Sequence, residues 1–74
     1  MKELAMTQKQ LVRQYIEDFG SITPMQAFYD LGVTKLATRV SEMKKDGVKF
    51  EQEPILSYNR YGKPVRYMKY SFPQ

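Results

Sequence analysis

The sequence predicts an α+β chain that is mainly α, with three helices followed by a C-terminal β-hairpin. Two segments carry complete helix-start signals and each ends in glycine, and a third shows helical spacing of apolar residues. After Gly47 the chain changes to aromatic and β-branched residues arranged around a turn sequence.

The first helix is expected to start at Thr7-Gln8-Lys9-Gln10, a capping box in which the Thr7 hydroxyl accepts from an early backbone N–H and Gln10 reaches back to the cap. Leu11, Val12, Tyr15, Ile16 and Phe19 follow on one stripe, and Gly20 supplies the left-handed residue that stops the helix. In the second helix Thr23 is the N-cap, Gln26 completes the box, and Pro24 takes the first helical position, where its missing donor costs nothing. Its apolar positions Met25, Ala27, Phe28 and Leu31 run only to Gly32, and Ile22 before it is placed to pair as a short strand. The third helix is expected over residues 35–46, with Thr34 as cap, Leu36, Val40 and Met43 on one face, and Gly47 as the stop. Tyr15, Phe19, Phe28 and Phe50 are expected in the core, and Met6 or Leu4 either over the first helix or frayed from it.

The hairpin arms carry Val48, Phe50, Ile55, Leu56 and Tyr58, then Val65, Tyr67, Met68, Tyr70 and Phe72. Between them Asn59-Arg60-Tyr61-Gly62-Lys63-Pro64 has turn chemistry, because Asn59 and Gly62 both tolerate positive φ, and a tip of about five residues is expected. Pro54 implies an edge position or a bulge in the first arm. Helix, short helix, glycine turn, helix, hairpin is the order of a winged helix-turn-helix. It is expected to form a single domain over residues 7–73 after a short N-terminal extension, residues 1–6.

Composition narrows the function. The chain has 74 residues, enough for one core, and its 42% hydrophobic content includes no run approaching the roughly 20 apolar residues of a membrane span. Residues 1–6 lack the apolar run of a secretory signal, so a cytoplasmic protein with no membrane partner is expected. Without cysteine or histidine, disulfides, thiolate nucleophiles, imidazole bases and the usual zinc ligands are excluded. The acids are scattered, and there is neither a glycine-rich phosphate loop nor a nucleophile with a visible base. No enzyme, cofactor, metal site or small-molecule substrate is expected.

The formal charge of +4 and pI near 9.4 favour an anionic partner. Residues 35–49 carry Lys35, Arg39, Lys44, Lys45 and Lys49 against Glu42 and Asp46, a net of +3, and residues 59–74 add Arg60, Lys63, Arg66 and Lys69, a net of +4. The remaining segments sum to −3, so the positive charge is confined to two stretches.

In a helix-turn-helix the N-terminal half of the second motif helix enters the major groove, here residues 34–42 with Thr34 at the start and Lys45 further along. With the apolar face turned inward, Lys35, Thr38, Arg39 and Glu42 are expected outward. Arg39 has the fork for guanine O6 and N7, Lys35 reaches guanine or phosphate, Thr38 meets a thymine methyl, and Glu42 accepts from cytosine N4. The competing reading is an ordinary solvated helix face. At the hairpin tip Arg60, Tyr61 and Lys63, with Arg66 on the return strand, suit phosphates or an adjacent minor groove, against a simple role in protecting an edge strand. Tyr58, Tyr61, Tyr67 and Tyr70 are weighed as base-stacking residues but are expected to pack on the helices.

Gly20-Ser21-Ile22-Thr23-Pro24-Met25-Gln26-Ala27, Asp30 through Ser41, Lys44-Lys45-Asp46-Gly47 and Asn59-Arg60-Tyr61-Gly62-Lys63 together resemble the small helix-turn-helix proteins of bacteriophages and prophages, over residues 7–72. The resemblance implies a winged-helix fold and a DNA-binding role in phage gene regulation or recombination. The acidic Glu51-Gln52-Glu53 is then expected to point away from DNA.

The sequence-level reading is thus a sequence-specific binder of double-stranded DNA, a regulator of transcription or an excision or recombination factor, acting alone, as a homodimer or with a host or phage protein. Two alternatives stay open. One is a protein-interaction module, such as a phage inhibitor of a host nucleic-acid enzyme, for example an anti-CRISPR. The other is an architectural factor that bends DNA with little base reading.

Overall fold

Two reciprocal hydrogen-bond pairs start the first two helices of the computed structural model, which describes residues 6–73. Thr7 Oγ1 accepts from Gln10 N at 3.1 Å while Gln10 Oε1 accepts from Thr7 N at 2.8 Å. Thr23 and Gln26 repeat the exchange at 3.3 and 3.0 Å. Helix α1 spans Gln8–Phe19, α2 spans Pro24–Leu31 and α3 spans Leu36–Lys45, and strands β1 (Glu51–Tyr58) and β2 (Pro64–Ser71) follow. Three helices and a two-stranded antiparallel sheet make the chain mainly α, as the element order predicts. Most of the expected N-terminal extension, Leu4 included, lies outside the described residues.

Gly32 ends α2 at φ 71°, which L side chains rarely adopt, and the turn lets Val33 N donate back to Ala27 O at 3.0 Å. That turn drops Val33 into the core, where it is buried. Helix α3 begins one residue later than expected, which displaces Thr34 from the cap. The residue before Leu36 is Lys35, whose ammonium has no lone pair to accept from the first-turn N–H groups, and no side chain caps this helix.

The core gathers Val12 and Ile16 of α1, Ile22, Ala27, Val33, Leu36, Val40 and Met43 of α3, and Tyr70 of β2. Tyr15, Leu31, Val48, Phe50, Met68 and Phe72 pack half-buried around it. Two expected core residues do not join: Phe19 is 70% exposed and Phe28 52%. Both lie on the apolar side of their helices, but those stripes are wider than the surface that two short neighbouring helices cover. Phe19 instead leans on Tyr15, ring centroids 4.7 Å apart, and Phe28 on Tyr29 at 5.4 Å.

The hairpin runs in unbroken register from Glu51 opposite Ser71 to Tyr58 opposite Pro64. Pro54 sits opposite Met68 without a bulge, tolerated because β1 is an outer strand with an edge that needs no donor. On the far side of β2, Ile22 exchanges two backbone hydrogen bonds with Tyr70, at 2.8 and 2.9 Å. The short strand expected at Ile22 is therefore a single bridge, and it fixes the hairpin base to the start of α2.

Burial along β2 rises from exposed residues near Pro64 to the buried Tyr70, so the helices cover the base of the hairpin more fully than its distal half. Tyr70 is the one hairpin tyrosine that reaches the core, and Tyr58, Tyr61 and Tyr67 are exposed, contrary to the expectation that they pack on helices. Two further ties join the helices: Tyr15 Oη donates to Asp30 Oδ2 at 2.6 Å, and Lys9 pairs with Asp46 at 3.0 Å. Among the described residues no helix is long and apolar enough to cross a membrane.

Candidate nucleic-acid interface

The inward direction of α3 is set by the buried Leu36, Val40 and Met43. At about 100° per residue, Thr38, Ser41 and Lys45 fall on the opposite side and Ala37 on its margin, and all four are exposed. Thr34 and Lys35 are exposed at the N-terminal end. Ala37 and Ser41 escaped the sequence-based selection, although Ser41 lies three and four residues from Thr38 and Lys45 and so shares their face.

Arg39 and Glu42 are placed differently from the expectation of a fully outward pair. Both are half-buried, Arg39 more than a quarter-turn from the outer face of α3 and Glu42 between it and that face. They meet each other, Arg39 Nη2 to Glu42 Oε2 at 3.4 Å, with the Arg39 side chain 28% exposed. Arg39 Nε is buried with no hydrogen-bond partner. The flank position explains this arrangement, since it lays the arginine stem and Nε beside the edge of the core.

The end of α3 is fastened to the hairpin, because Lys44 Nζ donates to Gln52 Oε1 of β1. Lys45, one residue on, projects free of ion pairs among the described residues.

Asn59 organises the hairpin tip. Its N–H donates to Lys63 O at 2.9 Å, and its side-chain Oδ1 accepts from Tyr61 N at 2.9 Å and Lys63 N at 3.1 Å. Gly62, at φ 77°, donates to Asn59 O at 3.0 Å. The tip is five residues long, as predicted, but Asn59 works through its carboxamide: no described residue other than glycine has positive φ. This lattice holds Arg60, Tyr61 and Lys63 outward, Tyr61 being 83% exposed.

Arg66 lies opposite Leu56, exposed, further down β2. Lys69 is drawn out of the basic set by Glu53, its cross-strand neighbour, at 3.4 Å. The sequence-predicted residues therefore fall into two groups. Thr34, Lys35, Thr38, Arg39, Glu42 and Lys45 lie along α3, and Arg60, Tyr61, Lys63 and Arg66 lie on the wing. No hydrogen bond or ion pair links the two groups among the described residues.

Helix pair, exposed third helix and projecting basic hairpin define a winged helix-turn-helix. The chain matches the family model described as "Winged helix-turn-helix domain" over residues 7–74 and belongs to that family. No curated protein and no solved structure matches it. Family membership points to binding of double-stranded DNA.

Proposed function

We propose that this chain is a sequence-specific double-stranded DNA-binding protein, a single domain over residues 7–73 with α3 in the major groove and residues 59–66 of the wing on the backbone or an adjacent minor groove. One observation carries the reading. Lys35 at the start of α3, Lys45 at its end, and Arg60, Lys63 and Arg66 on the wing are exposed and make no ion pair among the described residues, while three of the nearby acids are engaged. Asp46 is held by Lys9, Glu42 by Arg39 and Glu53 by Lys69. The acids that dilute the local charge in the sequence are thus matched within the fold, which leaves the unmatched cations to meet phosphate.

On this reading Thr38, Lys35 and Arg39 face base edges beside Glu42, and Thr34 and the uncapped first turn of α3 face phosphate. Lys45, Arg60, Lys63 and Arg66 contact the backbone, with Tyr61 between them at the tip. The resemblance to phage and prophage proteins supports reading such a binder as a cytoplasmic regulator of transcription or an excision or recombination factor. A homodimer suits a paired target site.

Selection of bound duplexes from a random pool tests the proposal. A defined site should emerge. On that site Arg39→Ala should cost about 1–3 kcal/mol and relax preference at one base pair, whereas Lys63→Ala should weaken all sequences alike and reduce the salt slope by about one. No enrichment, together with equal affinity of the wild type and both variants, would overturn it.

A second reading, a protein-interaction module such as an inhibitor of a host nucleic-acid enzyme, is favoured by one feature. Pro24, Met25, Tyr58, Val65 and Tyr67 line an apolar groove of about 490 Å³ between α2 and the wing. A host complex that survives nuclease treatment, with no duplex binding at low salt, would select this reading over the first.

A further inference from the structure

We infer that Glu42 is a positioning residue that reads no base itself and instead fixes which edge of the Arg39 guanidinium is presented to DNA. This inference rests on the DNA-binding reading above. A guanidinium can form a fork through its lateral edge, Nε with Nη2, or through its end, Nη1 with Nη2. The lateral edge of Arg39 is closed at Nε, and the Glu42 carboxylate braces the group at the nitrogen that both edges share. Nε is buried without a partner, and the Glu42 carboxylate stands against Nη2 at 3.4 Å. The remaining edge is the end of the group, Nη1 with Nη2, which has the two parallel donors that guanine O6 and N7 require.

The Glu42 carboxylate has a second effect. It stands beside the arginine as a negative charge that phosphate oxygens avoid, so it keeps Arg39 off the backbone, where a contact carries no sequence information. Removing that charge frees a long flexible cation for any nearby phosphate. Affinity for unrelated duplexes and discrimination of the correct base therefore move in opposite directions. A Glu42 that accepted from cytosine N4 would behave differently, because its loss would erase a cytosine preference and leave the guanine preference of Arg39 in place. A merely structural surface pair would move neither quantity.

The test uses the full chain and three duplexes: the selected site, the same site with the Arg39-dependent guanine pair replaced by A·T, and a random sequence. Each is titrated over a salt series with wild type, Glu42→Gln, Arg39→Ala and the double variant. Glu42→Gln should raise affinity for the random duplex several-fold and steepen its salt slope by about one. It should also cut discrimination between the first two duplexes about fivefold or more, and it should do nothing further to discrimination once Arg39 is alanine. In the free protein, the Arg39 Nε–H signal should exchange slowly with solvent in the wild type and faster in Glu42→Gln.

If Glu42→Gln leaves discrimination, salt slope and Nε–H exchange unchanged while Arg39→Ala abolishes discrimination, the inference fails and the DNA-binding reading stands. If the wild type binds no duplex, or if Arg39→Ala changes nothing, the DNA-binding role of Arg39 fails and the inference falls with it.

Discussion

The Tyr15 hydroxyl, 2.6 Å from Asp30, is the shortest side-chain tie between α1 and α2, and the hydrogen bond exists only while the phenol keeps its proton. The bond to Asp30, with added desolvation and the charge of the same carboxylate, raises the Tyr15 pKa above its ordinary 10.0. The folded state thus favours the protonated phenol. Its contribution to stability is complete below the ordinary value and is lost as pH rises through the raised folded value. Melting curves followed by circular dichroism from pH 7 to pH 11 should therefore show the wild type losing its advantage over Tyr15→Phe at the alkaline end. A constant difference between the two across that range would refute this role. Side-chain pairings of this kind were unevenly legible. Arg39 and Glu42 stand three apart on one helix, so their meeting could be read from spacing. Tyr15 and Asp30 lie on different helices, and only the packing of α1 on α2 brings them together.

The elements whose boundaries are written in local chemistry are the ones the sequence located best. Both capping boxes, the turn at Gly32 and the five-residue tip obey rules that involve neighbours within about four positions. Helix α3 lacks such a signal, because Lys35 cannot cap, and its start was displaced accordingly. The exposure of Phe19 and Phe28 was illegible for a related reason: periodicity shows which side of a helix is apolar but not how far neighbouring elements cover it. The wing tip offers the sharpest test at this scale. Asn59→Ala removes one acceptor that satisfies two backbone donors, Tyr61 N and Lys63 N. The amides of Tyr61 and Lys63 should then exchange faster, and binding should weaken by a similar factor on every duplex if the tip is held to the backbone as proposed. Unchanged exchange at both amides, or a loss confined to one sequence, would contradict the assignment of the tip.

Across the molecule, the atoms that hold the fold together and the atoms proposed to bind DNA are separate sets. Among the described residues no polar or charged side chain is buried, so the fold is held by apolar packing around nine residues. The cations proposed to meet DNA lie outside that cluster. The sequence revealed this division in outline, since its apolar stripes and its two basic stretches occupy different positions. It could not show that Asp46, Glu42 and Glu53 would be matched by Lys9, Arg39 and Lys69, because two of those pairs depend on how distant segments are brought together. Ile22 is the residue at which the division can be tested. It is fully buried, and its backbone joins the hairpin base to α2 through Tyr70. Ile22→Ala should cost about 2–5 kcal/mol, a large part of the roughly 5–15 kcal/mol that holds a small domain folded. Binding to all duplexes should fall in step with the folded fraction measured by thermal melting, and base preference in the molecules that remain folded should be intact. Lys63→Ala should do the reverse, leaving the melting temperature within a degree or two while weakening every duplex. If Ile22→Ala altered base preference at temperatures where it is folded, or if Lys63→Ala lowered the melting temperature as much as Ile22→Ala, core and interface would be coupled and the division would not hold.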